Sequence, residues 1–543
     1  MQKENRFTNA VGKQLNITST ENGQFAYKST AFSKVLDFYA VAGALRTRSE
    51  DEIKTKMAEA FNESPLLATR LLFHLSDIRE GLGERRTFRI ALEWLANNHP
   101  EVVEFNLKYI AHFNRWDSLF TLKGTPCEDQ MVRFVHNQLI SDLTIAIQED
   151  AKESISLLAK WLPSINTSSA KTRELGAWFA RRFGLTSREY RQSLAFLREY
   201  LRVVEVKMSN KEWSSIDYSQ VPANAMMRYR KAYRVKDAER FQSYLEKVRR
   251  GEAKINAGTL FPYDIIEKIM HREKDAVLEA QWKALPNYID GAHNVLVMAD
   301  VSGSMQGRPM ATSVGLAIYF AERNSGPYKD LFMTFSSVPE FVKLQGHDLY
   351  TRVHNAMNAK WNMNTNLEAA FLKVLDLAIR NNLKTEDLPK AIVVISDMEI
   401  DAACYAARGD FLSGVREKYA RFGYQLPKLI FWNVSSRNDT FLVDSNRPGV
   451  ELASGQSAST FRSILKSVST TPYMAMLEVL NGERYLCVTL PTKYSDEDDS
   501  GASFVAKTGW AKTAPAKKVP TRSLADIRTT RAQTIKKLFA EEE

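Results

Sequence analysis

The stretch His293–Met305, HNVLVMADVSGSM, decides how the rest of the chain is read. Val295–Ala299 is an apolar run with the length and β-branched content of a parallel strand buried on both faces. It ends at Asp300, and Ser302 and Ser304 follow at alternate positions with Gly303 between them. A carboxylate and two hydroxyls on a tight loop at a strand's end suit a hard divalent cation. Mg²⁺ takes oxygen ligands in near-octahedral geometry and keeps several waters, so a few protein oxygens suffice. By itself, Asp-x-Ser-x-Ser also arises from an Asx or Ser turn after a strand.

Two later pieces give the loop a context. Asn364-Thr365-Asn366 opens a helical pattern, Leu367–Ile379, and Ala391–Ile395 is a second buried-strand run that ends at Ser396-Asp397. Strand–Asp, loop–Thr–helix and strand–Asp gather oxygen groups at the carboxyl ends of parallel strands, where open α/β sheets bind ligands. The set resembles the metal-ion-dependent adhesion site (MIDAS) of von Willebrand factor A domains. That resemblance implies a doubly wound α/β domain, with Asp300, Ser302, Ser304, Thr365 and Asp397 as ligands of Mg²⁺ or another divalent cation such as Mn²⁺. The alternative is the same motif kept as a structural loop.

At 543 residues the chain is too long for one core. Its 44% hydrophobic and 25% charged residues are those of an ordinary globular protein. Cys127, Cys404 and Cys487 are far apart and fit neither a disulfide frame nor a zinc spacing, so they read as buried thiols of a reducing compartment. The opening MQKENRFTNAVGKQL has no apolar signal core and no run reaches the ~20 apolar residues of a membrane span. A cytoplasmic protein without membrane contact is expected. The net charge of +10 is concentrated: residues 1–150 carry 18 Lys and Arg against 20 Asp and Glu, whereas residues 151–250 carry 21 against 10. Such a localised excess points to an electrostatic surface.

Residues 1–32 read as an irregular opening segment with a turn at Glu21–Gln24. From 33 to 290 the apolar spacing is helical, as in KVLDFYAVAGAL (34–45), SPLLATRLLFHLSDI (64–78) and FRIALEWLANN (88–98), which predicts a solenoid of degenerate, HEAT-like helix pairs. Its basic part sets Lys160, Arg181, Arg182, Arg188, Arg191, Arg198, Arg228, Arg230, Lys231 and Arg234 among Tyr190, Tyr229 and Tyr233. Arginine forks grip phosphate and stack on bases, so these residues are candidates for RNA binding; solvated helix faces are the plainer alternative. Residues 291–470 alternate strands and helices and form the A-type α/β domain. A packing extension (471–492), a polar linker (493–522) and a basic amphipathic helix (523–543) follow.

A helical array followed by an A-type domain with an adhesion site resembles the layout of the Ro/TROVE proteins, ring-shaped RNA-binding components of ribonucleoproteins. A closer resemblance is to an uncharacterised TROVE-related family of viral, phage and plant proteins. It is carried by DIREGLGERRTF (77–88), FNRWDSL (113–119), SLLAKWLPSINTSS (156–169), YRQSLAFLR (190–198), IDYSQVPANAM (216–226), KINAGTLFPYDII (254–266) and FWNVSSR (431–437). The TROVE resemblance implies a monomeric ring closed by the A-type domain, binding structured or single-stranded RNA, non-coding or misfolded. A second reading is a metal-dependent protein adaptor in which a partner's Asp or Glu completes the Mg²⁺ sphere. A metal-dependent phosphoryl-transfer enzyme is the third; Ser302 stands where a second acid would help and only Glu399 is to spare, so no catalytic residue is assigned.

Overall fold

The computed structural model describes residues 15–31, 33–148, 154–289, 294–335, 338–358, 366–400, 411–444, 446–461 and 471–494. Thr365, Cys404, nearly all of the 493–522 linker and the 523–543 helix lie outside the described residues. Where an irregular segment is expected, β1 (Ile17–Ser19) and β2 (Phe25–Tyr27) pair antiparallel, and a hydrogen bond from Thr20 N to Gln24 O closes their turn at 2.9 Å.

Helices follow: α1 (Lys34–Val41), α2 (Glu50–Glu63), α3 (Pro65–Ser76), α4 (Arg85–Asn98), α5 (Pro100–Phe113) and α6 (Glu128–Ile147). Their starts are set locally. Ser33 caps α1, Ser49 and Glu52 form a reciprocal capping box on α2, and Ser64 caps α3 ahead of Pro65. The basic part contributes α7 (Ala170–Arg182), α8 (Ser187–Tyr200), α9 (Ala223–Lys236) and α10 (Ala238–Arg250); α11 (Pro262–Met270) and α12 (Ala276–Lys283) complete the helical region.

Six strands form the second part: β3 (Val295–Asp300), β4 (Leu331–Phe335), β5 (Phe341–Lys343), β6 (Ala391–Ser396), β7 (Lys428–Asn433) and β8 (Val450–Ser454). Their order is β5-β4-β3-β6-β7-β8, all neighbours parallel except the antiparallel edge strand β5. The helices between them are α13 (Arg308–Arg323), α14 (Leu349–Met357), α15 (Leu367–Arg380) and α16 (Phe411–Arg421). The chain is thus an α-helical region joined to an α/β region.

The strands bury both faces, and the strand period of two divides them between two cores. Val295, Val297 and Ala299 pack with α13 and with Ile265, Ile266 and Trp282 of α11 and α12. Leu296 and Met298 pack with Phe371 and Val374 of α15 on the other face. The last helices of the helical region therefore also cover the sheet. Its first helix reaches the sheet too: the Gly43 N–H donates to Ser454 Oγ at 3.0 Å, just beyond α1 and at the end of β8.

The final described helix, α17 (Pro472–Leu480), turns back. Met476, Leu480, Tyr485 and Val488 join the same core as Val35, Phe73 and Leu107, so the segment after the sheet completes the first helical core. A turn of 3-10 helix, Glu483–Tyr485, follows α17. Of the thiols expected to be buried, Cys127 is, and Cys487 is exposed. No helix among the described residues is long and apolar enough to cross a membrane.

Candidate functional site

β3 and β6 are neighbours at the centre of the sheet and end on the same edge, which is why two aspartates 97 positions apart in the chain meet. Asp300 is fully buried; Oδ1 accepts the Ser302 N–H at 2.8 Å and Oδ2 the Ser396 hydroxyl at 2.6 Å. The Ser302 and Ser304 hydroxyls lie 2.9 Å apart, and Ser304 is exposed. Burial pushes the Asp300 carboxyl up to about 6; the hydrogen bond from Ser396 opposes this and the neighbouring Asp397 adds to it.

Asp397 is 2% exposed and does not face this loop unpaired. Its Oδ1 accepts the Glu399 N–H at 3.2 Å, and its Oδ2 takes Arg437 Nη2 at 3.1 Å. Arg437 follows β7, the strand beside β6, and its guanidinium also stands 3.4 Å from Glu21 of the β1–β2 turn. Around it, the Glu21 N–H donates to Glu399 Oε2 at 2.7 Å, and Asn438 Nδ2 donates to Glu21 Oε1 at 2.7 Å and Glu399 Oε1 at 3.1 Å. The opening ribbon thus rests on the carboxyl edge of the sheet. Glu399, spare by sequence, is part of that seam, and burial raises its carboxyl above the ordinary range.

The donors brought together here are hard oxygens: two buried carboxylates and two hydroxyls. They fit a Mg²⁺-like ion in kind. Among the described residues no three His, Cys, Asp or Glu side chains gather as a metal-binding group, so a cation would draw on the hydroxyls and water as well as on Asp300 and Asp397. Thr365 belongs to the expected set but lies outside the described residues. Sequence reasoning missed Arg437. The available signal was FWNVSSR, a strand whose end shares the edge with Asp397.

The basic residues divide sharply. Arg230 is buried and pairs with Asp275 at 3.0 Å and with Glu273; it holds α9 to the start of α12. Arg234 grips the same Asp275 through two hydrogen bonds of 2.7 and 2.6 Å. Arg198 donates to the carbonyls of Ala159 and Leu162 at 2.9 and 2.7 Å, and Arg182 pairs with Glu128 and Asp129. These four, expected on an RNA surface, hold helices together, because acceptors distant in sequence come next to them in the fold. Lys231 is exposed and 3.6 Å from Glu273, and Lys160 is half-buried at the end of the short helix Leu158–Trp161. Arg181, Arg188, Arg191 and Arg228 are exposed and face no carboxylate among the described residues. Tyr190 and Tyr233 are fully buried and Tyr229 donates to Glu205, so the interleaved tyrosines belong to packing.

The chain matches one domain of unknown function (DUF2828) over residues 20–116 and 182–292, and another (DUF7788) over residues 294–485. The second match begins where the sheet begins and runs on into the returning segment. Over 507 residues, covering 86% of this chain and 87% of the other, the chain is 29% identical to "Uncharacterized protein L728" of Acanthamoeba polyphaga mimivirus.

Proposed function

We propose that this chain is an RNA-binding scaffold of the Ro/TROVE kind, a HEAT-like helical array closed within one chain by a von Willebrand A-type domain. The observation that carries it is the set Arg181, Arg188, Arg191 and Arg228, exposed on three helices of the basic part without acidic partners among the described residues. Closure is supported by the sheet region's contacts with both ends of the array, at Gly43 near α1 and through α11 and α12. The activity is binding, in the cytoplasm, of structured RNA or of single strands from non-coding or misfolded RNA. It is phosphate-dominated and salt-sensitive.

The test is titration of purified protein with a structured RNA bearing a single-stranded 3′ tail, at several salt concentrations. Changing Arg181, Arg188, Arg191 and Arg228 together to Glu is expected to weaken binding at least about a hundredfold and flatten the salt dependence. Weak binding that is equal in both proteins would refute the scaffold.

In the same reading Asp300, Ser302, Ser304, Thr365 and Asp397 hold Mg²⁺ or Mn²⁺, which supplies a positive centre for an acidic ligand. Arg437 sits on one of those carboxylates and competes for it. Arg437→Ala is therefore expected to tighten Mg²⁺ or Mn²⁺ binding roughly tenfold or more by calorimetry, with Asp300→Ala as the non-binding reference. Equal affinity in wild type and Arg437→Ala would remove Arg437 from this role. The exposed Ser304 hydroxyl also favours the adaptor reading, in which a partner's carboxylate completes the cation's sphere. Capture of an acidic partner that fails with chelator or with Asp300→Ala distinguishes it.

A further inference from the structure

Three stretches singled out in the sequence meet in the helical region. Arg115 of FNRWDSL lies with its guanidinium 4.1 Å over the ring of Trp161, from SLLAKWLPSINTSS. It holds Asp117 through Nε at 2.8 Å and through Nη2 at 2.5 Å. Arg89, just after DIREGLGERRTF, reaches the same carboxylate at 2.9 Å. Arg85, the first residue of α4, lies within electrostatic reach of Arg89, Arg115 and Asp117. Its own neighbour in sequence, Glu84, is taken by the Arg86 N–H and by Arg46 at 3.6 Å.

The cluster has more positive charge and more donors than it uses. Arg85 is half-buried and has no hydrogen bond or ion pair among the described residues. Arg89 Nε and Asn114 Nδ2 are buried donors without an acceptor there. Other half-buried arginines of this region are held: Arg86 by the carbonyls of Arg46 and Arg48, Arg198 by those of Ala159 and Leu162. A partly buried cation and unmatched N–H groups are costly unless an anion satisfies them. Asp117 preorganises two of the guanidinium groups and the Trp161 face fixes one of them. The side chains of Arg89 and Arg115 remain 37% and 30% exposed, so the cluster opens to solvent. Planar forks of this kind match the oxygens of phosphate.

We propose that Arg85, Arg89 and Arg115 form a binding site for a phosphate ester. The site is independent of the exposed arginines proposed above for structured RNA. Its ligand chemistry has two sources, the free phosphate of a nucleotide and the phosphodiester of a single strand, and the choice of probes separates them.

The experiment is calorimetric titration of the full chain with inorganic phosphate, a nucleoside 5′-monophosphate, and a short single-stranded RNA with and without a 5′-phosphate. Arg85→Gln is expected to weaken binding at least about tenfold, the loss of a charge-assisted hydrogen bond pair, and Arg85→Lys to restore part of it. Thermal melting without ligand is expected to be no lower in Arg85→Gln, because no hydrogen-bond or ion-pair partner among the described residues is lost and the repulsion from Arg115 and Arg89 is relieved. Binding that requires the terminal phosphate assigns the site to free phosphate; binding of both RNAs alike assigns it to the phosphodiester. No binding of any probe, or equal affinity in Arg85→Gln, overturns the proposal. So does a drop in melting temperature in Arg85→Gln with unchanged binding, which would make Arg85 structural. Failure here with retained, salt-sensitive binding of the structured RNA would leave the scaffold reading intact.

Discussion

Asp77→Ala is expected to destabilise the protein by about 3–5 kcal/mol, the cost of stranding one partner of a buried ion pair. Asp77 lies at the end of α3 and is fully buried, and its carboxylate is held from the far end of the chain. Arg484 Nη2 donates to Oδ1 at 2.7 Å and Arg484 Nε to Oδ2; the Tyr485 hydroxyl donates to Oδ2 at 3.1 Å and the Arg79 N–H to Oδ1 at 3.0 Å. Burial alone would raise this carboxyl, but the hydrogen bonds and charge of Arg484 outweigh it and lower the pKa below the usual range. A depressed carboxyl contributes stability above its unfolded pKa and loses it as the pH falls through the folded value. Burial lowers His74, whose Nδ1 lies 3.0 Å from Tyr485 Oη, to about 4. The unfolded chain therefore takes up that proton first, and stability declines as the pH drops from about 6.5 towards 4. Denaturant unfolding of Asp77→Ala, Arg484→Gln and the double variant checks the pair. Near-additive losses would show that the two side chains do not act together.

Gly43→Ala is expected to cost at least about 3 kcal/mol, at the upper end of overpacking penalties. A Cβ on Gly43 would stand 2.5 Å from Gly455 Cα, 2.7 Å from Gly455 N and 2.9 Å from the Ser454 carbonyl carbon. All three are backbone atoms and cannot rotate away. Gly455 itself is held on both sides, its N–H donating to the Asn433 carbonyl at 2.8 Å and its carbonyl accepting from Trp432 Nε1 at 2.8 Å, so this side of the contact has little freedom to readjust. The substitution must pry the first helix from the end of β8 and break the Gly43 N–H to Ser454 Oγ bond. Gly414→Ala is the matched control: it lies in α16 with open space around it, and alanine there is expected to stabilise by about 0.5–1 kcal/mol. A Gly43→Ala protein with wild-type melting temperature would show that the two regions separate easily.

Much of the sheet was legible because its strands are buried on both faces. Val295–Ala299 and Ala391–Ile395 carry unbroken apolar runs, and each ends at the aspartate that the structure places on one edge. The helix α14 was not foreseen, although Asp348 caps it and Leu349, Val353 and Ala356 mark its buried side; it is short and follows a weak edge strand. The pairing of Arg437 with Asp397 was out of reach because nothing local says which of the loops after β6 and β7 will touch. Charge counting failed in the same way at Arg230: its acceptors Glu273 and Asp275 lie more than forty positions away, so a basic run in sequence became a buried ion-pair knot in space. Conversely Arg85 could be seen in the sequence, but its lack of a hydrogen-bond or ion-pair partner among the described residues is a property of the folded surroundings alone.

The return of the chain after the sheet has a consequence for the order of synthesis. The core begun by Val35 and continued to Leu197 is finished by Met476, Leu480, Tyr485 and Val488. On the ribosome, the last of these emerges roughly 290 residues after Leu197. At about 5–20 residues per second, the early helices wait on the order of 15–60 s with one wall of their core missing. The nascent helical region must therefore pass through synthesis with apolar side chains uncovered, and the whole α/β region is made before they are sealed.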